Sequence, residues 1–188
     1  MAEQLDFFAA APALPAGLRF EPELIAPDAE RGLLEAVRAL PFEDFSFHGY
    51  VGKRRTVSFG AAYDFTREAL GPASALPDFL IALRETAAAF AGIAAGALRQ
   101  VLVTEYGAGA GIGWHRDKPV FGEIVGISLL SSCRFRLRRR HRGAWERVTL
   151  EAGPRSAYLL SGVARTEWEH SIPPVEMPRY SITYRTFR

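Results

Sequence analysis

The sequence predicts an α+β fold in which a double-sheet β barrel or sandwich carries helices packed on its outside. Helical periodicity is confined to residues 27–40 and to a stretch from about 77 to 91, both in the first half of the chain. From about residue 99 onward the chain has β character, in short segments bounded by Gly, Pro or a charged turn. Many short strands after two helices are typical of such a two-layered sheet.

The first helix is predicted over residues 27–40, with Asp28 near its N-cap and Pro41 ending it. Its apolar residues recur at helical spacing and are Leu33, Leu34, Val37 and Leu40. The second helix is predicted from about Pro77 to Ala91, with Gly92 as the stop signal. Its apolar stripe consists of Phe79, Leu80, Leu83, Ala87 and Phe90.

Between the two helices the sequence is rich in aromatic residues and glycine, and it is interpreted as short strands and loops that extend over a surface or a site. The strand candidates of the second half are 99–106, 123–130, 133–140, 145–150, 155–160, 165–170 and 180–187. Each is short enough for a strand of a compact barrel.

The size of the chain predicts one domain. With 188 residues, 48% of them hydrophobic, it can bury one sizeable core but not two. Residues 1–17, rich in Ala and Pro, are predicted to be a flexible tail, and residues 18–188 a single domain with helices in 18–98 and the β core in 99–188. A monomer is expected.

The number of cysteines and the hydropathy of the chain indicate where in the cell the protein is expected. The single cysteine, Cys133, lies in a predicted strand and is interpreted as a buried structural thiol, so no disulfide or thiolate metal cluster is expected. No apolar stretch approaches the length of a membrane-spanning helix, and residues 1–17 lack the basic leader of a signal peptide. The expected location is the cytoplasm, without a membrane partner.

A candidate metal site follows from the scarcity of histidine, of which there are four. His115 and Asp117 are two residues apart, so in an extended chain they point to the same face. His170 ends a predicted strand that can lie beside them. Two histidines and one carboxylate on one face of a metal form the facial triad of non-haem iron(II) oxygenases. His48 and His141 are assigned to packing or surface roles instead.

The last predicted strand carries a possible anion site. Arg179, Ser181, Thr183 and Arg185 alternate with apolar and aromatic residues, so they share one face. A guanidinium can bind a carboxylate through two hydrogen bonds, as a dicarboxylate co-substrate would require. Taken alone, this alternation is equally typical of a solvent-facing strand.

The combination of H-x-D, a distant histidine and R-x5-R on the last strand resembles the AlkB-like branch of the Fe(II)- and 2-oxoglutarate-dependent dioxygenases. The segment V-T-E-Y-G-A-G-A-G-I-G-W-H, which ends at His115, is similar to that family's segment before the metal ligands, and residues 54–65 are similar to its substrate-side segment. The resemblance implies a double-stranded β-helix, or jelly-roll, core with the N-terminal helices packed on one sheet.

By this resemblance His115, Asp117 and His170 ligate Fe(II), and 2-oxoglutarate and O2 are co-substrates. Arg179 would bind the distal carboxylate of 2-oxoglutarate and Arg185 would lie near its chelating end. Tyr106, Thr104 and Thr183 complete the expected co-substrate site, with Thr104 standing where many members have Asn. The implied reaction is oxidative removal of alkyl groups from N-alkylated bases of DNA or RNA, with release of formaldehyde, succinate and CO2.

Recognition of the nucleic acid is expected to involve Phe59 and Tyr63, which can stack on an extruded base, together with Arg134 and Arg136, which can contact phosphates. These two arginines belong to a run of seven between 134 and 147, against one acid, Glu146. The alternative roles are core packing for the two aromatic residues and a solvated strand face for the arginines.

One departure from the family keeps two alternatives open. In nucleic-acid repair members H-x-D is usually followed two residues later by an acid that contacts the base, and here that position is Pro119. The first alternative is the same chemistry on a protein side chain or small molecule. The second is a non-catalytic jelly-roll binding module, for which a broken triad or missing arginines would be the mark. Trp114, Trp145 and Trp168 are assigned to packing.

Overall fold

Three layers of secondary structure make up the part of the protein that the computed structural model describes, residues 14–47, 50–61, 63–64, 69–70 and 74–188. Two helices cover one face of a seven-stranded sheet, and a four-stranded sheet lies against the other face. The two predicted helices and the predicted β-rich second half therefore occupy the expected layers.

The helices begin and end close to the predicted residues. Helix α1 spans Pro27–Arg38 and α2 spans Asp78–Ala91, while a short third helix, α3, spans Gly162–Thr166. Asp28 lies in the first turn of α1 and not at its N-cap, a position that Ala26 takes without a side-chain hydrogen bond. Gly92 ends α2 in the left-handed region with φ 76°, as glycine allows. None of the described helices is long and apolar enough to cross a membrane.

The strands are described by their order in three sheets. In chain order they are β1 Leu18–Glu21, β2 Glu43–Phe47, β3 Tyr50–Gly60, β4 Tyr63–Asp64, β5 Ala69–Leu70, β6 Gln100–Tyr106, β7 Ile112–His115, β8 Phe121–Leu129, β9 Cys133–His141, β10 Ala144–Ala152, β11 Ala157–Leu160, β12 Glu169–Ile172 and β13 Arg179–Phe187. The major sheet has the order β1-β11-β8-β13-β6-β3-β2, and the minor sheet the order β10-β9-β12-β7. Strands β4 and β5 pair with each other in a third sheet.

Two sequence predictions about strands need correction. The stretch 165–170 was expected to be one strand, but α3 continues to Thr166 and β12 begins at Glu169. His170 is accordingly the second residue of its strand and not the last. The region between the helices also contains β3, an 11-residue strand whose residues 54–60 pair with β6 in the major sheet.

Both faces of the major sheet are covered. Between it and the two long helices lies a cluster that includes Val37, Leu80 and Val103. Between the two sheets lies a second cluster that includes Phe135, Leu137 and Cys133, so the predicted burial of this thiol is confirmed. The second cluster fills only part of the space between the sheets, and the candidate site occupies the rest.

Strand β13 lies at the centre of the major sheet, hydrogen-bonded to β6 on one side and to β8 on the other. Its residues alternate as predicted. Tyr180, Ile182 and Tyr184 face the helices, and the Tyr184 hydroxyl donates to the Leu80 carbonyl at 2.8 Å. The alternate residues face the minor sheet and are Arg179, Ser181, Thr183 and Arg185. Tertiary packing thus fixes which face of this strand reaches the site.

Candidate active site

Three side chains from two neighbouring strands and a loop meet between the sheets. His115 is the last residue of β7 and stands directly opposite His170 of β12 in the strand register, so the two rings lie side by side with centroids 4.2 Å apart. Asp117 follows β7 and brings Oδ2 to 3.4 Å from His170 Nε2. One ligand atom from each residue lies within 4.8 Å of the others, a set that can hold a divalent metal ion.

Asp117 is held from behind by Arg185. The Nε and Nη2 atoms of Arg185 donate to Asp117 Oδ1 at 3.2 and 3.0 Å, while its Nη1 donates to Gln100 Oε1 at 2.8 Å. Burial, the largest single influence, disfavours the charged carboxylate, but the positive charges around it, that of Arg185 foremost, together keep the pKa of Asp117 below its ordinary value. The carboxylate is therefore ionised, with Oδ2 directed toward the histidines.

The histidines present nitrogen lone pairs. Burial lowers the pKa of His170 to about 3, so its ring is neutral at physiological pH. His115 Nδ1 lies 2.9 Å from the Gly113 carbonyl oxygen, which can only accept a hydrogen bond. Nδ1 therefore carries the proton, and Nε2 keeps the lone pair that a metal needs.

The loop after Asp117 is fixed by a buried arginine of α3. Arg165 donates to the carbonyl oxygens of Lys118 at 2.6 Å, Phe121 at 2.8 Å and Gly122 at 2.9 Å. Arg116 Nη1 also donates to the Thr166 carbonyl at 3.1 Å. Since these contacts flank Asp117 on both sides, α3 sets the path of the loop that carries the carboxylate.

A cavity opens beside the three side chains. It is lined by Arg54, Leu102, Thr104, Tyr106, Ile112, His115, Asp117, Ser128, Cys133, Phe135, Ala152, Tyr158, His170, Ile172, Arg179, Ser181, Thr183 and Arg185. Polar groups of the major sheet face the histidines of the minor sheet across this space, so a ligand there would contact both.

Arg179 is the strongest sign of an anionic ligand in this cavity. Its side chain is only 1% exposed, its guanidinium lies 4.8 Å from the centre of the Tyr106 ring, and its Nη2 donates to Ser128 Oγ at 3.0 Å. Its Nε and Nη1 atoms find no hydrogen-bond partner within the described part of the chain. A buried cation with open donors is costly, so the site is built for a carboxylate or a similar anion.

Residues 41–185 match the family model described as the 2OG-Fe(II) oxygenase superfamily, which is more than half of the chain. The chain belongs to the 2OG-Fe(II) oxygenase superfamily. This family uses Fe(II) with 2-oxoglutarate and O2 as co-substrates, and the His-Asp-His set and the open donors of Arg179 fit both groups.

One curated relative of this oxygenase is an AlkB-like protein. It is 29% identical over 184 residues to a protein of Arabidopsis thaliana named "Alkylated DNA repair protein ALKBH8 homolog", in an alignment that covers 84% of this chain and 51% of the relative. The chain thus spans about half the length of that curated relative. The predicted resemblance to the AlkB-like dioxygenases is confirmed.

Solved structures share the fold of the oxygenase. The structure of OsALKBH1 superposes with a TM-score of 0.67 at 14% identity, covering 93% of this chain and 98% of that one. A prolyl-4-hydroxylase of Pseudomonas putida superposes with a TM-score of 0.61, also at 14% identity, covering 92% and 93%. The predicted jelly-roll core with helices packed on one sheet is confirmed.

The structure brings together the residues that the sequence assigned to the metal and the co-substrate. Tyr106, Thr104 and Thr183 line the cavity, as do both arginines of β13. Arg185, predicted to lie near the chelating end of 2-oxoglutarate, lies beside Asp117 of the triad. Its donors are engaged by Asp117 and Gln100, so it acts first on the carboxylate of the triad.

The residues predicted to contact a base or phosphates do not lie in this cavity. Phe59 points to the helix side of β3 and packs against the first cluster, which corrects the expected stacking role. Arg134 and Arg136 lie on the opposite face of β9 from the inward residues Phe135 and Leu137, so they reach solvent instead of the cavity. The side chain of Tyr63 lies outside the described residues.

Two of the three tryptophan assignments are also corrected. Trp145 is 41% exposed, and Trp114 is only half-buried, with the Arg138 guanidinium 4.3 Å from its ring centre. Trp168, 5% exposed, belongs to the core as predicted. Strand alternation alone could not assign Trp114, because the face opposite His115 is the outer face of the minor sheet.

Sequence reasoning missed the residues that support the site. Gln100 and Ser128 hold the two arginines of β13, and Arg165 holds the loop after Asp117. Little in the sequence indicated these three residues, because each is a single polar residue in a segment without a recognisable motif. Arg54 had a usable signal, since alternation along β3 puts it with Thr56 and Ser58 on the face opposite Val57 and Phe59, and it lines the cavity.

Proposed function

We propose that this AlkB-like oxygenase removes alkyl groups from N-alkylated nucleobases of DNA or RNA, with His115, Asp117 and His170 holding Fe(II) and Arg179 anchoring 2-oxoglutarate. The observation that carries the catalytic part is the open, buried guanidinium of Arg179 facing the three converging ligand atoms. The substrate part rests on the name of the Arabidopsis relative, an alkylated DNA repair protein homologue.

When bound, iron and 2-oxoglutarate supply the oxidation by O2 of an N-alkyl C–H bond to a hydroxyalkyl group, with succinate and CO2 as co-products. For an N-methyl group the hydroxymethyl product loses formaldehyde and leaves the N–H base. The protein supplies Nε2 of His115, the neutral imidazole of His170 and the ionised carboxylate of Asp117. The arginines behind these ligands keep them oriented before any substrate arrives.

Each part of the cavity has a distinct task in this scheme. Arg179, with Ser128 behind it, would donate to the distal carboxylate of 2-oxoglutarate, and the Tyr106 hydroxyl would line the same end. Thr104 and Thr183 add hydroxyl donors along the wall. Tyr158, half-buried and stacked on Phe135 with centroids 4.3 Å apart, would exclude water from the closed end.

One observation favours a second candidate, the same oxidation on a protein side chain or small molecule. Pro119, which replaces the acid expected two residues after Asp117, is exposed in the turn that follows the triad. A proline there offers no hydrogen bond to a base edge. Another residue would then have to read the base, or the substrate would be of another class.

The deciding experiment is mass spectrometry on a matched panel of methylated oligonucleotides and methylated peptides, incubated with Fe(II), 2-oxoglutarate and ascorbate. We expect loss of the methyl mass from one or more oligonucleotides, with formaldehyde and succinate formed in equal amounts. The Asp117→Ala variant should release no succinate while keeping its fold by circular dichroism. Demethylation or hydroxylation of peptides alone would replace the nucleobase proposal with the second candidate.

A further inference from the structure

We propose that the outer face of the minor sheet binds the phosphodiester backbone of a nucleic acid strand while the cavity on the inner face acts on one base. This inference rests on the proposed function for its link to catalysis. Its own basis is a basic and aromatic surface outside the cavity. We define the outer face as the side of β7, β12, β9 and β10 that carries Trp114, Arg134, Arg138, Arg140, Trp145 and Arg147.

The strand register assembles this face. Along β9 every second residue from 134 to 140 is an arginine that points away from the inward side chains Phe135 and Leu137. Successive arginines on one face of a strand are about 6.8 Å apart. In the neighbouring strand β10, Arg147 stands opposite Arg138 and Trp145 opposite Arg140. The result is a flat array of guanidinium groups broken by indole rings.

The charge of the outer face is unbalanced. It carries five arginines and two glutamates, Glu151 and Glu169, and only Glu169 forms an ion pair there, with Arg138 at 2.7 Å. None of the ion pairs made by the described residues involves Arg134, Arg140 or Arg147, and all three are exposed. Like charges held this close repel one another, so a polyanion bound across them would be favoured.

The aromatic residues give the outer face rigidity and stacking surface. The Arg138 guanidinium lies 4.3 Å from the Trp114 ring centre and 4.5 Å from that of Trp145, so it joins the two indoles. Glu169 fixes Arg138 from the side. Trp145 is nevertheless 41% exposed. Exposed aromatic rings among arginines are the combination by which proteins hold a strand, because bases stack on rings while guanidinium groups bind phosphates.

The position of the outer face connects it with the cavity. Trp114 immediately precedes His115, and Ser171, which accepts from Arg136 Nε at 3.1 Å, immediately follows His170. The two faces are therefore opposite sides of the same short strands β7 and β12. A strand that passes around the edge strand β7 would contact both. The outer face thus offers affinity for the backbone without selecting a base. Pro119, in the loop after the triad, provides no contact that selects a base either.

The test is fluorescence anisotropy with short unmodified single-stranded DNA and RNA, at several salt concentrations between about 50 and 200 mM. The test variant is Arg134→Glu/Arg140→Glu. The matched control, with the same change of charge, is Arg19→Glu/Arg31→Glu, at two exposed arginines of β1 and α1. We expect the test variant to bind about tenfold more weakly or worse, with a salt slope shallower by about 0.7 for each phosphate that is no longer neutralised. The control should bind as wild type does.

A second pair of variants tests the stacking surface. Trp145→Ala should weaken binding about fivefold or more, as expected when a base loses its stacking partner. Ile81→Ala, at an apolar residue of α2 that is 39% exposed, should leave binding unchanged. Thermal unfolding of every variant checks the fold. If the charge reversals unfold the protein, Arg134→Gln/Arg140→Gln replaces them, with weaker binding still expected.

The outcomes separate this inference from the proposed function. Wild-type protein treated with a chelator should bind unmodified strands as the untreated protein does, because the outer face needs no metal. Wild-type affinity in the Arg134/Arg140 variants would overturn the inference even if the enzyme demethylates oligonucleotides. Equal losses of affinity in test and control variants, or binding of phosphatidylserine vesicles without binding of oligonucleotides, would overturn it as well. Tight binding that depends on the outer face, without demethylation of any oligonucleotide, would uphold this inference and refute the proposed function.

Discussion

Arg185 holds Asp117 by a single oxygen: two guanidinium nitrogens lie 3.2 and 3.0 Å from Oδ1, and Oδ2 is left facing His170 Nε2 at 3.4 Å. Both side chains are nearly buried, with about a tenth of each exposed. In such surroundings a fork of two charge-assisted hydrogen bonds fixes the plane of the carboxylate as well as its charge. Arg185 thereby prepares one metal ligand before the metal binds.

Replacing Arg185 should therefore weaken metal binding more than it weakens folding. We expect Arg185→Gln to reduce affinity for Mn(II), used as a stable substitute for Fe(II), by about 10- to 100-fold, as loss of a group behind a metal ligand usually does. Isothermal titration calorimetry under anaerobic conditions measures the change. Arg185→Lys, which keeps the charge without the fork, should recover part of the affinity. Equal affinity in all three proteins would contradict the assigned role.

Arg179 should govern the co-substrate instead of the metal. Its unsatisfied buried nitrogens predict that Arg179→Gln raises the KM for 2-oxoglutarate about 100-fold, since charged hydrogen bonds of about 3 kcal/mol in total are removed. Affinity for Mn(II) should stay unchanged. Succinate release at varied 2-oxoglutarate concentration gives the KM.

Ser128→Ala provides the graded control for Arg179, because it removes only the hydroxyl that holds Nη2. A rise in KM of about 5- to 10-fold is expected from the loss of one hydrogen bond to a charged group. If Arg179→Gln left the KM unaltered, the co-substrate would have to bind elsewhere in the cavity.

The metal-free protein should lose stability in acid through His170. Its pKa is lowered from the ordinary 6.5 to about 3 by burial, so above pH 6.5 neither the folded nor the unfolded state binds the proton. Between pH 6.5 and 3 the unfolded chain takes it up and the folded chain does not. The free energy of unfolding therefore decreases as the pH is lowered through this interval, by up to about 1.4 kcal/mol per pH unit.

Thermal unfolding of the chelator-treated protein at pH values between about 7.5 and 4.5 measures this effect. The His170→Gln variant, which lacks the titrating ring, should lose less stability over the same interval. Asp117, whose pKa is lowered, also destabilises the folded state on acidification, but only as pH falls below the ordinary pKa of a carboxyl group. Identical pH dependence in wild type and His170→Gln would refute this account of the buried ring.

Gly126 should tolerate no side chain. A Cβ at this position of β8 would overlap the ring of Tyr158, which packs across it and stacks on Phe135. We expect Gly126→Ala to lower the free energy of unfolding by about 1–3 kcal/mol because of overpacking. Gly32→Ala is the control, since nothing lies within 4 Å of its Cβ in α1. That change should stabilise the protein by about 0.5–1 kcal/mol. Urea unfolding distinguishes the two directions.

The sequence predicted those residues of the site whose orientation depends on short-range periodicity. The alternation of residues 179–185 placed both arginines on the inner face, because a strand at the centre of a sheet must bury its aromatic face against the helices. It could not predict what supports them. Gln100, Ser128 and Arg165 meet their partners across 85, 51 and up to 47 residues of chain, and such contacts depend on register between strands that no local pattern contains.

The same limit explains the mistaken aromatic assignments. Phe59 lies on a strand with protein on both faces, and Trp114 lies on a strand whose outer face carries stacked arginine and aromatic side chains. In neither strand does hydrophobicity alone show which face an aromatic residue takes. Phe59 packs toward the helices because Arg54, on the opposite face of β3, lines the cavity. Trp114 faces outward because His115 faces inward. In each case the orientation follows from a nearby residue of the same strand, Arg54 or His115, whose side chain faces the cavity.

The two halves of the active site differ in how firmly the chain holds them. Arg179 and Arg185 lie on β13, hydrogen-bonded along both edges, whereas His115 lies on β7, the outermost strand of the four-stranded sheet. Central strands open for amide exchange only in near-global unfolding, and edge strands open earlier. On gradual heating we therefore expect β7 and its metal ligand His115 to open while the co-substrate pocket is still intact.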